Sequence, residues 1–363
     1  MFKAAKTVDF LFLTYYTDGS KQRKRLSSLI RLYFPLYLSR RSVSFSALRT
    51  ERPINFLCRR RAAEWMIVME KFDSLIIGEV AQDTNVDFDG TVVQAVGGAV
   101  YYSGCAAANM GHKIAVLPKA DLSQLDVTAA FHEKAPSISV FPLNSPHSFV
   151  TKNVYHTADR ERRTSTVDSL IAPYTTDEVP VDQIDAAIWH LAGLAGGDIP
   201  NEMIPFAAKH AMVAIDVQTM LRWVENGGMV YHDWKEKKEL LPYIRFLKTD
   251  AAEAEILTGL TDRVEAAKML HDWGAKEVVI THNTEVLAYD GEKVYTCPIK
   301  ARNLSGRTGR GDTTFAGYIA ERQRDSVEEA LNFCTALVSL KMETPGPFKG
   351  TREDVLAYMK EFY

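Results

Sequence analysis

The sequence predicts an α/β protein of three layers: helices on both faces of a mostly parallel central sheet, with a small β flap, or lid, beside it. Two observations carry this. Apolar runs of strand length recur between residues 74 and 281, with helical stretches between several of them. Strand–helix alternation of that kind needs a parallel sheet covered on both faces. Two regions, 85–96 and 151–167, interrupt the alternation with shorter, more polar strands that fit a flap outside the main sheet.

Taken in order, buried strands are expected at 74–78, 113–117, 137–141, 186–191, 212–216, 244–248 and 277–281, each an apolar run. The helices among them are expected at 98–110, 201–209, 250–257 and 264–273. Residues 285–289 and 293–298, joined across Asp290-Gly291, read as a hairpin with a short turn. Three helices then end the chain, at 313–324, 327–342 and 352–362.

Of the 363 residues, 46% are hydrophobic and 25% charged, an ordinary globular balance. The four cysteines (Cys58, Cys105, Cys297 and Cys334) are scattered, as reduced thiols of a cytoplasmic protein would be. No run approaches the roughly 20 apolar residues that cross a bilayer. The first 65 residues hold 14 Lys and Arg against four acids, which leaves a net −13 on the remainder. An acidic body argues against a nucleic-acid partner, because phosphate neutralisation needs clustered Lys and Arg. Two segments are therefore expected: a basic leader at 1–68 and an acidic globular domain at 69–363. The leader lacks a steady period and reads as disordered or wrongly included, as an organellar transit peptide, or as a folded appendage. Met66 and Met69 are natural starts just before the first clean strand.

The most informative stretch is Ser305-Gly306-Arg307-Thr308-Gly309-Arg310-Gly311-Asp312-Thr313. Gly309 and Gly311 lie just before a helix with an apolar stripe, so backbone N–H groups gather at a helix N-terminus, where the dipole also favours negative charge. Such a cradle suits a phosphoryl group in transfer. Asp312, in the first turn, can accept a proton from an attacking hydroxyl; the plainer alternative is that it only caps the helix. Asp250 and Glu253 open another helix after the strand 244–248, where acids are favoured in any case. Near the front, Asp83 follows the first strand, and Gly97-Gly98 opens a helix of small residues that also carries Tyr102. Adjacent glycines let the backbone approach a ligand, or let helices pack closely.

In order and spacing, over roughly residues 70–363, these segments resemble the ribokinase-like (PfkB-type) carbohydrate kinase family. The family's Gly-Ala-Gly-Asp turn corresponds to Gly309-Arg310-Gly311-Asp312, with Arg310 in place of the small residue. Its Asn-x-x-Glu segment corresponds to Asp250-Ala251-Ala252-Glu253, with Asp for Asn. The resemblance implies a ribokinase-like fold with Asp312 as catalytic base and the amides of Gly309, Arg310 and Gly311 as an anion hole. It implies that Glu253 orients Mg²⁺-bound water and that Thr281 begins a nucleotide-site loop. It gives Asp83, Gly97, Gly98 and Tyr102, the last in place of the usual Asn, to substrate binding. The implied cofactors are ATP and Mg²⁺, and the implied acceptor is a sugar-like hydroxyl compound: carbohydrate, polyol or nucleoside. Pairing of two copies through the flap is the expected assembly. A smaller echo is Asp216-Val217-Gln218 with Arg222. After Thr281 the glycines of the family's loop are replaced by His282-Asn283-Thr284.

Other chemistries lack their signatures. No Gly-x-Gly-x-x-Gly follows the first strand, no Gly-x₄-Gly-Lys-Ser/Thr string exists, and the nine histidines form no spaced cluster. The competing expectation is a catalytically weak or inactive sugar or nucleotide sensor that keeps the fold.

Overall fold

The computed structural model describes residues 70–157 and 163–363; the leader 1–68, with Met66, and Met69 beside it lie outside the described residues. The chain starts with β1 (Glu70–Glu79), β2 (Ala81–Val86), β3 (Val92–Gly97), α1 (Ala99–Asn109), β4 (Ile114–Ala120), α2 (Val127–Lys134), β5 (Ser139–Val140) and β6 (Leu143–Asn144). It continues through β7 (Phe149–Tyr155), β8 (Arg163–Ser169), β9 (Ile184–Leu191), α3 (Met203–Ala207), β10 (Met212–Asp216), α4 (Gln218–Leu221), β11 (Arg222–Glu225), β12 (Gly228–Tyr231) and α5 (Lys237–Leu240). The last part comprises β13 (Ile244–Asp250), α6 (Ala251–Thr258), α7 (Arg263–Asp272), β14 (Glu277–Thr281), β15 (Glu285–Tyr289), β16 (Val294–Pro298), α8 (Arg310–Glu321), α9 (Val327–Lys341) and α10 (Arg352–Phe362).

The main sheet has the order β16-β15-β14-β13-β10-β9-β1-β4-β5, with β6 also paired to β4. All its pairings are parallel except those of β15 with β14 and β16. Successive strand residues face opposite sides, and here both sides are covered. Leu75 and Ile77 enter one core with Leu257 of α6 and Leu270 of α7. Ile76, between them, enters another with Val100 of α1 and Phe131 of α2. Likewise Val278 and Ile280 face α6 and α7, while Val279 meets Phe315 of α8 and Leu331 of α9. This is the expected three-layer α/β/α arrangement. It explains why the strands read as continuous apolar runs rather than alternating ones.

A second sheet, ordered β11-β12-β8-β7-β2-β3, forms the flap. The two flap regions expected from sequence are in it, as β2–β3 and β7–β8. It is larger than expected, because the hairpin β11–β12 joins through Gly228 beside Thr166 of β8. Asn226 and Gly227 make that hairpin's turn, with φ of 52° and 76°, the left-handed pair that favours an Asn-Gly two-residue loop. Elsewhere the expected strand 137–141 shrinks to Ser139–Val140 and the helix 201–209 to Met203–Ala207, while α2, capped by Asp126, was not expected. Helix α8 begins at Arg310, three residues before its expected start.

Candidate active site

Strands β10, β13 and β14 end side by side, and the side chains at their C-terminal ends meet the N-terminus of α8 under the flap. In open parallel sheets ligands bind at this edge. A cavity of about 640 Å³ opens there. Its wall includes Asp83, Tyr102, Arg222, Lys248, Asp250, Thr281 and the segment Leu304–Asp312.

The turn into α8 is shaped by Gly309, at φ 77°. A Cβ there would stand 2.1 Å from Cδ1 of Tyr102, so neither the backbone nor the space admits another residue. The N–H of Arg310 turns back to the carbonyl of Arg307 at 3.2 Å. A Cβ on Gly311 would lie 3.2 Å from Nζ of Lys248, which places that ammonium directly beside the turn. Lys248 is buried and donates to Oδ1 of Asp216 at 3.1 Å, with Oδ2 of the same ion pair 2.9 Å away. Burial alone would lower its pKa, but Asp216, Glu253 and Asp250 outweigh that and hold it charged.

Asp312 is half-buried in the first turn of α8, and its carbonyl accepts from Ser103 Oγ at 3.2 Å. Burial raises its carboxyl pKa above the ordinary aspartate value, with Lys248, Arg222 and Lys341 pulling the other way. A carboxylate of this kind, set among cations beside the turn into α8, has the parts that proton abstraction coupled to phosphoryl transfer requires. Of the three amides expected to form the anion hole, that of Arg310 is already engaged by the Arg307 carbonyl.

Asp250 and Glu253 form a reciprocal cap at the start of α6: Asp250 Oδ1 accepts from the Glu253 N–H at 2.8 Å, and Glu253 Oε2 from the Asp250 N–H at 2.9 Å. Glu253 Oε1 accepts from Nη2 of Arg222 at 3.0 Å. Burial pushes the Glu253 carboxyl up, but Lys248 and Arg222 more than reverse this, so it stays ionised. Asp250 therefore stands on the cavity wall, with Glu253 buried behind it. No group of three or more His, Cys, Asp or Glu among the described residues is placed to hold a metal ion. One carboxylate on the wall suits Mg²⁺, which keeps much of its hydration and takes its remaining ligands from phosphates.

At the flap end, Asp83 Oδ1 accepts from Thr151 Oγ1 at 2.6 Å, and Asn85 Oδ1 from Asn153 Nδ2 at 3.2 Å. A Cβ on Gly97 would stand 2.3 Å from Oδ2 of Asp83, so that glycine keeps room for the carboxylate. Gly98 caps α1, and Tyr102 lies buried one turn further on. Thr281 also lies on the wall. Thr281 closes β14, and the turn after it is pinned by the His282 N–H on the Glu285 carbonyl at 3.0 Å and by His282 Nδ1 with Thr284 Oγ1 at 3.0 Å. Nη2 of Arg307 reaches across to Asn283 Oδ1 at 3.4 Å.

The structure thus gathers Asp312, Gly309, Arg310, Gly311, Asp250, Thr281, Asp83, Gly98 and Tyr102 on one cavity, with Glu253 and Gly97 immediately behind its wall. Sequence reasoning gave no role to Lys248, Lys341, Thr151 or Asn153. Lys248 carried a readable signal, a cation ending an apolar strand two residues before the acid pair. The flap residues carried only their place on a polar strand.

Comparison with known proteins bears on the family and the fold. The pattern of the pfkB family carbohydrate kinases matches residues 148–353. A cytidine kinase of Thermococcus kodakarensis is 24% identical over 271 residues, 69% of this chain and 89% of that protein. A pyrophosphate-dependent kinase in the ribokinase family, solved with sulfate, is 32% identical with a TM-score of 0.71, over 78% of this chain and 99% of that one. A pyrophosphate-dependent kinase in the ribokinase family complexed with a pyrophosphate analog and myo-inositol gives 31% and 0.70, over 78% of this chain and 99% of that one. Arabidopsis thaliana ribokinase, complexed with ribose and ATP, shares the fold at 18% identity and a TM-score of 0.62, over 80% of this chain and 99% of that one. No helix of the described residues is long and apolar enough to cross a membrane. The chain is a kinase of the carbohydrate and nucleoside class, and it belongs to the pfkB family of carbohydrate kinases.

Proposed function

We propose that this enzyme transfers the terminal phosphoryl group of a phosphoanhydride donor to one hydroxyl of a ring-shaped polyol or sugar, with Asp312 as general base. The observation that carries this is the placement of the Asp312 carboxylate beside the turn 309–311 and Lys248, on a cavity whose far end is lined by Asp83, Asn85, Thr151 and Asn153. These flap groups offer several hydrogen-bonding atoms to an acceptor rich in hydroxyls. As the acceptor oxygen bonds to phosphorus, its proton passes to Asp312 and the bridging P–O bond of the donor breaks. The turn at 309–311 and Lys248 meet the charge on the transferring group. Mg²⁺, carried on the donor's phosphates and met by Asp250 with Glu253 behind it, would neutralise the leaving oxygens.

ATP is the donor that the family resemblance implies. A specific observation favours a second reading, inorganic pyrophosphate. The turn 282–284 is short and lacks glycines, and Arg307 bridges to Asn283 across the end where a nucleotide base would lie. The relatives at 31–32% identity are pyrophosphate-dependent, and one was solved with myo-inositol. The test is to cross both donors, with Mg²⁺, against myo-inositol, ribose and cytidine and to follow acceptor phosphorylation. Turnover with pyrophosphate alone supports the compact-donor reading, and turnover with ATP alone removes it. Binding of acceptor without turnover from either donor would favour a sensor that keeps the fold.

A further inference from the structure

We propose that Lys341 is a built-in cation that sets the anion-hole loop, a positioning residue for the phosphoryl transfer read above. Lys341 ends α9, and its side chain is buried at 1% exposure. Its ammonium donates to the carbonyl of Gly306 at 2.6 Å and to that of Thr308. The ring of Tyr102 lies 5.1 Å from it. No carboxylate among the described residues forms an ion pair with it. A buried ammonium held this way is costly unless the groups around it need the charge. Burial accordingly pulls its pKa down to about 8, opposed by the charge of Asp312.

What the ammonium does to the loop follows from peptide geometry. In a planar trans peptide the C=O and the following N–H point in opposite directions. Holding the Thr308 carbonyl inward therefore turns the Gly309 N–H outward, toward the cavity. Holding the Gly306 carbonyl does the same for the N–H of Arg307. The peptide that needs fixing is the one before a glycine, because Gly309 tolerates either orientation after a flip. Lys341 thus selects the orientation in which Gly309 presents a donor, while the Tyr102 ring beneath it serves both partners: it excludes a side chain at 309 and faces the ammonium.

Lys341→Met keeps the length of the side chain and removes the charge and the donors. Loss of one oxyanion-type donor typically costs about 10²–10³-fold in kcat, so kcat should fall by at least about 10²-fold with acceptor KM little changed. Affinity for inorganic phosphate, measured by calorimetry, should fall at least about tenfold. In Lys341→Ala, which leaves room for a small cation, ammonium or methylammonium should restore part of the lost turnover and tetramethylammonium should not. Lys341→Met with turnover and phosphate affinity near wild type, or with a lowered melting temperature alone, overturns the inference. So does a folded Lys341→Ala enzyme that no small cation rescues. If the wild type turns over no donor in the panel, the reading of the reaction fails by itself, and phosphate affinity in Lys341→Met still decides the role of Lys341.

Discussion

In the proposed reaction Asp312 carries the proton transfer. A sugar hydroxyl is a weak nucleophile at neutral pH, and a positioned base typically contributes about 10²–10⁴-fold. Asp312→Asn keeps size and helix-capping ability, so the fold should persist while turnover falls by at least about 10²-fold. Donor affinity should change little, because the backbone turn at 309–311 remains. If Asp312 only capped α8, the same variant would show a shifted melting temperature and near-normal turnover. The pH profile gives an independent check. Burial raises the Asp312 pKa, and the base works only when deprotonated. Turnover should therefore fall as pH drops through that raised pKa, at a higher pH than an ordinary aspartate would give. This acid limb should disappear from the residual activity of Asp312→Asn.

At the scale of elements, α6 shows how a cap and a site become one object. Asp250 and Glu253 close the helix end reciprocally, and Glu253 also neutralises Arg222 and lies 3.8 Å from Lys248. Glu253→Ala would leave Arg222 without this buried partner and the Asp250 N–H without its acceptor. Breaking a buried pair from one side costs about 3–5 kcal/mol. Arg222 keeps some exposure, so the lower end is expected, read as a reduced denaturation midpoint. Glu253→Gln should be milder in stability yet still raise the Mg²⁺ concentration needed for turnover. An unchanged Mg²⁺ requirement would take Glu253 out of the metal's surroundings. Elements of this kind were legible in the sequence because their signals are local: acids in a first turn, glycines before a helix, apolar runs of strand length. The hairpin β11–β12 also had a local signal, Asn226-Gly227, but its strands are only four residues each, too short for periodicity to mark them. Lys341 could not be read. Its partners, Gly306 and Thr308, lie 35 and 33 residues away, and a lysine in the last turn of a helix is ordinarily a surface residue near the helix dipole. Its burial is a tertiary fact.

For the whole molecule, the question is which part of the chain the site needs. Within residues 70–363 the main sheet is covered on both faces by helices of the same segment, and β1 lies inside it, between β4 and β9. Every site residue from Asp83 to Lys341 belongs to that segment, including those on the flap. The first 65 residues differ in kind, with 14 basic residues against four acids, while the remainder carries a net −13. A basic segment can be attracted to an acidic body through charge alone, but exposed ion pairs contribute only about 0–1 kcal/mol each and weaken with salt. We therefore predict that a chain beginning at Met66 folds with a melting temperature close to that of the full chain and keeps its turnover within about twofold. The measurement is a paired comparison of melting temperature and turnover at low and high salt. A deficit in the shortened chain that vanishes at high salt, where exposed charges are screened, would mark a loose electrostatic association. A deficit that persists at high salt would show that the leader contributes apolar contacts to the domain, and the division at residue 68 would be wrong.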